Sequence, residues 1–306
     1  MKNTIIAILI IILISFGAFY FIQKDSNEIT AENKNENIVE NTEDEIVDDV
    51  SKNKTETIIG KSVENKDIVA YHFSSEKEGA EIDTKVLFIG GIHGGYSWNT
   101  SLVAYEMISY LKDNNEKIPA NVEVTIIPSM NIDGLSKVVD TNGSFSKSDV
   151  KATEAEKVEA RFNANNVDLN RNFDCQWQEK STWQNKEVSG GSSAFSEPES
   201  KAIESYVNSY GPDAVVVWYS AGGGVFASSC NNGVLDETKT LTNLYAKASG
   251  YKAYESFNFY EITGDMVNWL AKKNIPAISV LMTSHTDTEW SKNLRGIEAI
   301  LNHYAK

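Results

Sequence analysis

Polar and apolar positions divide the chain into three stretches. Ile5 to Ile22 is an 18-residue run without a formal charge, flanked by Lys2 and Lys24. At 1.5 Å per helical residue it reaches about 27 Å, close to the roughly 30 Å of a bilayer core. It ends in Ala18-Phe-Tyr-Phe-Ile, too bulky for the small-residue site at which a signal peptide is cleaved. No cysteine follows it directly, so a lipid-anchored start is excluded as well. Residues 1–24 therefore read as an uncleaved, single-pass membrane anchor. Lys2 marks the inner side, and the rest of the chain lies outside the cytoplasm.

Residues 25–57 carry no Pro, Gly or aromatic residue and hold 11 acids against three lysines. Such a segment buries too little apolar surface to order itself and extends by self-repulsion, so it reads as an acidic disordered tether. From Ile58 the periodicity becomes that of a folded α/β domain, residues 58–306.

Thr57-Ile-Ile-Gly-Lys-Ser and Asp67 to Phe73 alternate as two strands of a hairpin turning through Glu64-Asn-Lys. Lys85 to Ile92 is a short apolar run ending at glycines, the pattern of a buried strand. Val122 to Pro128, Asp213 to Tyr219 and Ala277 to Met282 repeat that pattern. Between them, Ser101 to Leu111 places Leu102, Tyr105, Met107, Ile108 and Leu111 on one helical face. Glu197 to Ser209 reads as a second helix, with Ser196 as N-cap and Pro198 in the first turn. Strands alternating with helices predict a single α/β domain, a mixed and mostly parallel twisted sheet flanked by helices.

Composition adds one exclusion. The formal net charge is -15, with 41% hydrophobic and 23% charged residues. The last two are ordinary for a globular protein, while the acidity argues against a nucleic-acid partner, whose phosphates it repels.

Six short motifs then stand in order: Ile58 to Ile68, Gly90-Gly-Ile-His-Gly-Gly-Tyr96, Asn131-Ile-Asp-Gly134, Asn166-Val-Asp-Leu-Asn-Arg-Asn-Phe173, Phe195-Ser-Glu-Pro-Glu-Ser200 and Ser284 to Trp290. Together they resemble a bacterial member of the carboxypeptidase A-like zinc metallocarboxypeptidases across residues 57–306. The resemblance implies that family's fold, zinc as cofactor and a peptide C-terminus as substrate.

Zinc-assisted hydrolysis needs three protein ligands, an open coordination position, a carboxylate base and a cation for the oxyanion. On the family pattern His93 is the first ligand. The glutamate expected in the same turn is absent: Tyr96 and Ser97 stand there, with Ser97 at the replaced position. Tyr219 occupies the second histidine's place and Leu281 that of the general-base glutamate. Of the remaining histidines, His72 and His303 read as surface or packing residues, and His285 as a loop residue near Leu281. Zinc is thus expected of the family but not tightly bound here, and the catalytic apparatus reads as impaired.

The substrate side is more complete. On the same resemblance Asn170 and Arg171 grip the terminal carboxylate, for which a planar guanidinium is suited. Arg161 matches the oxyanion cation and Tyr260 a tyrosine closing over substrate. Asp265 or Met266 falls near the side-chain pocket, where an acid would favour a basic C-terminal residue. The competing reading makes Asn170 and Asp174 turn residues and pairs Arg171 with a structural carboxylate. Cys175 and Cys230, the only cysteines, are either a disulfide closing a loop of about 55 residues or two buried thiols.

Three functions remain open: a membrane-tethered pseudoenzyme binding peptide C-termini, cell-wall peptides among them; a working metallocarboxypeptidase with an unusual ligand set; and a partner-binding domain without a small ligand.

Overall fold

The computed structural model describes residues 55–75, 81–231 and 233–306. The anchor expected at 1–24 and all but the last three residues of the 25–57 tether lie outside them. No helix of the described residues is long and apolar enough to cross a membrane.

Ten strands and seven α-helices are described. A hairpin of β1 (Glu56–Lys61) and β2 (Asp67–Ser74) opens the domain, two residues before the expected start at Ile58. Then come β3 (Thr84–Ile89), α1 (Trp98–Asp113), β4 (Val122–Ile127), α2 (Ile132–Ser136) and α3 (Glu154–Glu159). A small hairpin of β5 (Lys180–Trp183) and β6 (Lys186–Ser189) precedes α4 (Pro198–Tyr210) and β7 (Ala214–Ser220). The chain closes with β8 (Gly224–Ala227), α5 (Asp236–Ser249), β9 (Lys252–Tyr254), α6 (Met266–Lys272), β10 (Ala277–Met282) and α7 (Trp290–His303).

Eight strands form one mixed sheet in the order β1-β2-β4-β3-β7-β10-β8-β9. Its centre, β4-β3-β7-β10, is parallel throughout, the β1–β2, β2–β4 and β10–β8 pairings are antiparallel, and β8–β9 is again parallel. The two faces follow the period-2 alternation of the strands. Val86, Phe88, Val216, Trp218, Ile278 and Val280 face α1, α5 and α7. Leu87, Ile89, Val215, Val217, Tyr219 and Leu281 face α4 and α6. Both layers are needed because strands apolar on both sides cannot be left wet.

Three boundaries differ from the sequence reading. Strand β3 stops at Ile89 because the chain turns through Gly90 and Gly91. Gly91 has φ +68°, and a Cβ on either would meet the backbone around Thr100 or Ser129. Helix α1 begins three residues earlier than Ser101, extended by the buried Trp98, Asn99 and Thr100. Ser196 does not cap α4. The N-cap is Glu197, without a side-chain bond to the helix, while Ser196 Oγ donates to the Glu197 carboxylate and accepts from Asn172. The strands that escaped the pattern, β5, β6, β8 and β9, are three or four residues long, and helices α2, α3, α5 and α6 were not read from it either.

Candidate functional site

Chain direction selects the place. The chain leaves β3 towards β4 and leaves β7 towards β10, in opposite directions across the sheet. Such a reversal opens a crevice at the carboxyl ends of the two strands, where open α/β sheets hold ligands. His93 follows the end of β3, Tyr219 lies near the end of β7, and Leu281 sits beside Tyr219 in the parallel β10–β7 register.

A cavity of about 370 Å³ lies there. It gathers His93, Arg161, Asn170, Arg171, Tyr219, Tyr260, Asp265 and Leu281, so the sequence-derived residues converge on one site. Two candidates do not line it. Ser97 is buried behind it, its Oγ 3.5 Å from His285 Nδ1, and Met266 belongs to the core under the sheet.

The charged floor is an ion pair and a second guanidinium. Arg161, 2% exposed, donates from Nε and Nη2 to Asp168 Oδ2 at 3.1 and 2.8 Å. Its guanidinium lies 4.3 Å from the ring centroid of Trp183 and 5.6 Å from that of Tyr96, a cation–π pairing on the carboxylate's flank. Burial pulls the Asp168 carboxyl upward, but Arg161 and Arg171 outweigh it and hold it down at about 2.

Arg171, 1% exposed, is fixed by carbonyls rather than by an acid. Nε and Nη2 both donate to Thr182 O at 3.1 and 2.8 Å, and Nη1 donates to Asn170 O at 2.7 Å. Among the described residues no carboxylate lies within ion-pair distance of it, so the structural ion pair of the competing reading is not formed. A guanidinium has five N–H donors. Three of Arg171's are engaged, leaving one hydrogen on each Nη; the Tyr260 ring stands 6.0 Å from its carbon. Gly264, at φ +64°, packs so closely on the Arg171 carbonyl that any Cβ there would collide with it.

Asn170 and Asp265 are tied to each other. Asn170 Nδ2 donates to Asp265 Oδ2 at 2.8 Å, and Asn170 Oδ1 accepts from Tyr219 Oη at 3.3 Å and Met266 N at 3.2 Å. Asp265 Oδ1 accepts from Asn268 N at 3.0 Å as the N-cap of α6. Each of its oxygens thus accepts a hydrogen bond, and Asp265 lies on the lining of the cavity. Burial raises its carboxyl above the usual range.

His93 is the exception to this satisfied network. It is 6% exposed, and neither ring nitrogen has a hydrogen-bond partner; Nε2 stands 3.8 Å from Asp168 Oδ1. Burial first, and Arg161 next, push its pKa well down, so the imidazole is neutral. Its ring lies 5.7 Å from that of Tyr219, whose hydroxyl burial holds protonated.

Elsewhere, His72 bonds Thr125 and Thr57, and His303 bonds Glu237. His285, in the loop after β10, the strand that carries Leu281, lines the cavity with its ring 4.5 Å from that of Tyr96. Cys175 and Cys230 form a disulfide, Cα to Cα 6.2 Å, with Cys230 on the lining of the cavity. Asp174 meets Lys272 at the surface.

Sequence reasoning missed Asp168, Trp183 and the Thr182 carbonyl. Asp168 was legible in principle, as the one acid inside Asn166 to Phe173. Nothing in the sequence marks Trp183 or a backbone carbonyl.

Comparison with known proteins agrees with the fold. The profile described as Zinc carboxypeptidase matches residues 39–289. No curated protein matches the sequence. Among solved structures, thrombin activatable fibrinolysis inhibitor is similar at TM-score 0.63 and 16% identity, over 81% of this chain and 68% of that one. Carboxypeptidase A from Helicoverpa armigera gives 0.61 and 19%, over 80% and 66%. Murein-tripeptide amidase from Escherichia coli O157 gives 0.55 and 17%, over 82% and 92%.

Proposed function

The chain belongs to the zinc carboxypeptidase family, and from that premise we propose that it binds peptide C-termini without hydrolysing them efficiently. The ligand class is a peptide with a free terminal carboxylate, cell-wall peptides included. The observation that carries this is Arg171: a buried guanidinium facing a cavity, with two N–H donors left and no carboxylate against it among the described residues.

The donor set does not fit a catalytic zinc. Among the described residues no three His, Cys, Asp or Glu side chains are grouped to hold a metal. Asp168, nearest to His93, is already bound by Arg161, and Tyr219 is a protonated phenol donating to Asn170. Leu281 offers no base. Two guanidiniums line the cavity, one paired with Asp168 and the other without a carboxylate among the described residues, an arrangement that favours an anion.

The similarity to a structure titled as a murein-tripeptide amidase supports the cell-wall peptide as ligand. Anchoring through Ile5 to Ile22 and the acidic tether would hold the domain outside the cytoplasm, next to that material.

A second reading, a metallopeptidase with an unusual ligand set, is favoured by one observation, the partnerless nitrogens of His93. The test measures zinc per chain after dialysis against trace zinc, with binding of an acylated dipeptide and its C-terminal amide. We expect no retained zinc, carboxylate-dependent binding, and loss of that binding in Arg171→Ala. Stoichiometric zinc with chelator-sensitive hydrolysis would establish the second reading instead. Equal binding of acid and amide would refute the role of Arg171.

A further inference from the structure

We infer that the Cys175–Cys230 disulfide is a redox latch on the carboxylate site. Oxidised, it holds the Arg171 segment to the far rim of the cavity; exchange with a dithiol frees that rim and weakens ligand binding. This rests on the reading above, in which Arg171 takes a terminal carboxylate, and adds a control on it.

Each cysteine belongs to a segment on which the site depends. Cys175 lies four residues after Arg171. Its carbonyl accepts from Gly264 N at 2.8 Å, and Gly264 O accepts from Phe173 N at 3.0 Å. Those bonds set Gly264 against the Arg171 carbonyl, so Cys175 ends the stretch that fixes the backbone carrying the guanidinium. Cys230 lines the cavity in the loop after β8. Its neighbour Ser229 donates from N to Asn268 Oδ1 of α6 at 3.0 Å. The bridge therefore ties the Arg171 segment to β8 and α6.

The backbone beside the bridge resists this arrangement. Gln176 and Asn231, each directly after a cysteine, stand at φ +52° and +50°, and both line the cavity. That left-handed region is unfavourable for a residue with a Cβ, more so for glutamine than for asparagine. Their side chains meet, Gln176 Nε2 donating to Asn231 Oδ1 at 3.2 Å, but this bond is exposed to water and contributes little. The covalent link is what keeps both residues in place. With it open, they relax and the rim draws away from Arg171.

Access couples the bridge to the ligand. Cys175 and Cys230 are 4% and 3% exposed and share an apolar cluster with Phe173, Phe226 and Val267. Of the two, Cys230 is on the cavity lining, so the cavity that a ligand would fill is also the route for a thiolate. One thiolate of the dithiol attacks the Cys230 sulfur, forming a mixed disulfide, while Cys175 leaves and takes up a proton. The second thiolate closes on the first and expels Cys230 as a thiol. The bridge gains two electrons and the dithiol is oxidised to its own disulfide. No third cysteine exists to divert the exchange. If the oxidised form binds ligand more tightly, ligand must make the bridge harder to reduce by the same factor.

The experiment uses the full chain in mild detergent, with N-benzoyl-glycyl-phenylalanine and its C-terminal amide as probes. Calorimetric titration compares the oxidised chain with the chain reduced by dithiothreitol, and the bridge is titrated in dithiothreitol redox buffers with and without each probe. We expect the reduced chain to bind the acid about tenfold more weakly, and saturating acid to lower the reduction potential by about 30 mV, the same factor for a two-electron couple. The amide should leave the potential unmoved. Equal binding by the two forms, with the oxidised chain still preferring acid to amide, would overturn the latch and leave the carboxylate site standing. Acid and amide binding alike to the oxidised chain would instead sink the carboxylate site. Loss of the cooperative urea transition on reduction would make the bridge a staple of the whole fold, and the latch would fall with it. Gln176→Gly/Asn231→Gly removes the left-handed cost with both cysteines in place, so it should narrow the difference between oxidised and reduced binding. An unchanged difference would refute relaxation of these two residues as the way the latch opens.

Discussion

Removing the Asp168 carboxylate should destabilise the domain far more than its single ion pair suggests. Asp168 is 0% exposed and accepts from two nitrogens of Arg161, itself 2% exposed. In Asp168→Ala the guanidinium stays charged, because its intrinsic pKa keeps it so, and it stays buried under Trp183. Stranding a buried charge in this way costs about 3–5 kcal/mol. Against a whole-domain stability of roughly 5–15 kcal/mol this is a large fraction. The stacking on Trp183 offsets little, about 0.5–2 kcal/mol, and it is already present in the wild type. The double variant Arg161→Met/Asp168→Ala removes both charges, so it should return to within about 2 kcal/mol of wild type. The assay is equilibrium urea unfolding of all four chains of the cycle (wild type, the Asp168 and Arg161 single variants, and the double), followed by tryptophan fluorescence. A cost below about 1 kcal/mol for Asp168→Ala would mean that Arg161 reaches water or another acceptor, and the buried-pair reasoning would be refuted.

The same carboxyl sets a pH dependence. Its folded value of about 2 lies below the usual 3.8, so its contribution is complete above pH 4 and is lost as pH falls towards 2. Urea midpoints should therefore fall more steeply between pH 4 and 2 for wild type than for Asp168→Asn, and equal slopes would exclude Asp168 as the titrating group. Metal binding is separately testable by gain. Ser97→Glu/Tyr219→His gives His93 a carboxylate and an imidazole as neighbours and should raise zinc per chain above wild type by elemental analysis. No gain would refute the reading that the replaced ligands are what keeps zinc out.

The central sheet was legible because buried strands are written as continuous apolar runs. Ala277 to Met282 coincides with β10, and Asp213 to Tyr219 differs from β7 by one residue at each end. The short strands β8 and β9 at one side of the sheet were not legible, since four residues such as Gly224-Val-Phe-Ala carry no period of their own and form only between β10 and β9. At the site, the sequence identified residues by chemical type and order. It could not reveal how they are engaged. Asp265 illustrates this: as an acid near a cavity it suggested a basic ligand, and nothing in the sequence told that it is also a helix cap and an anchor for Asn170. Arg171 illustrates the reverse. The expected alternative was a structural carboxylate, but its partners are the backbone carbonyls of Thr182 and Asn170, which no side-chain pattern announces. The disulfide resolved an even choice, because the fold brings Cys175 beside Cys230 across a separation of 55 residues.

Binding and hydrolysis would depend on different parts of this fold, and that separation makes the proposed function physically consistent. The arginines are held by the loop from Arg161 to Phe173 and by the β5–β6 hairpin, through Asp168, Trp183 and Thr182. The positions where the family pattern expects a second ligand and a base are instead on the strands β7 and β10. There Tyr219 and Leu281 sit in the apolar layer with Val217, Phe226 and Val267. A carboxylate or imidazole at those places would be a buried polar group requiring its own partners, and a metal would be the natural one. With Tyr219 and Leu281 that requirement disappears: the leucine packs, and the phenol finds Asn170. Exchanging strand-end ligands for such residues therefore leaves no stranded charge and costs the fold little. Replacing Arg161 or Asp168 would break a buried pair. The loop carrying Arg161 and Asp168 is thus constrained by stability and, on the proposed function, by ligand as well, while the strand ends are free to change. A domain built this way can lose its metal chemistry and keep its grip on a carboxylate.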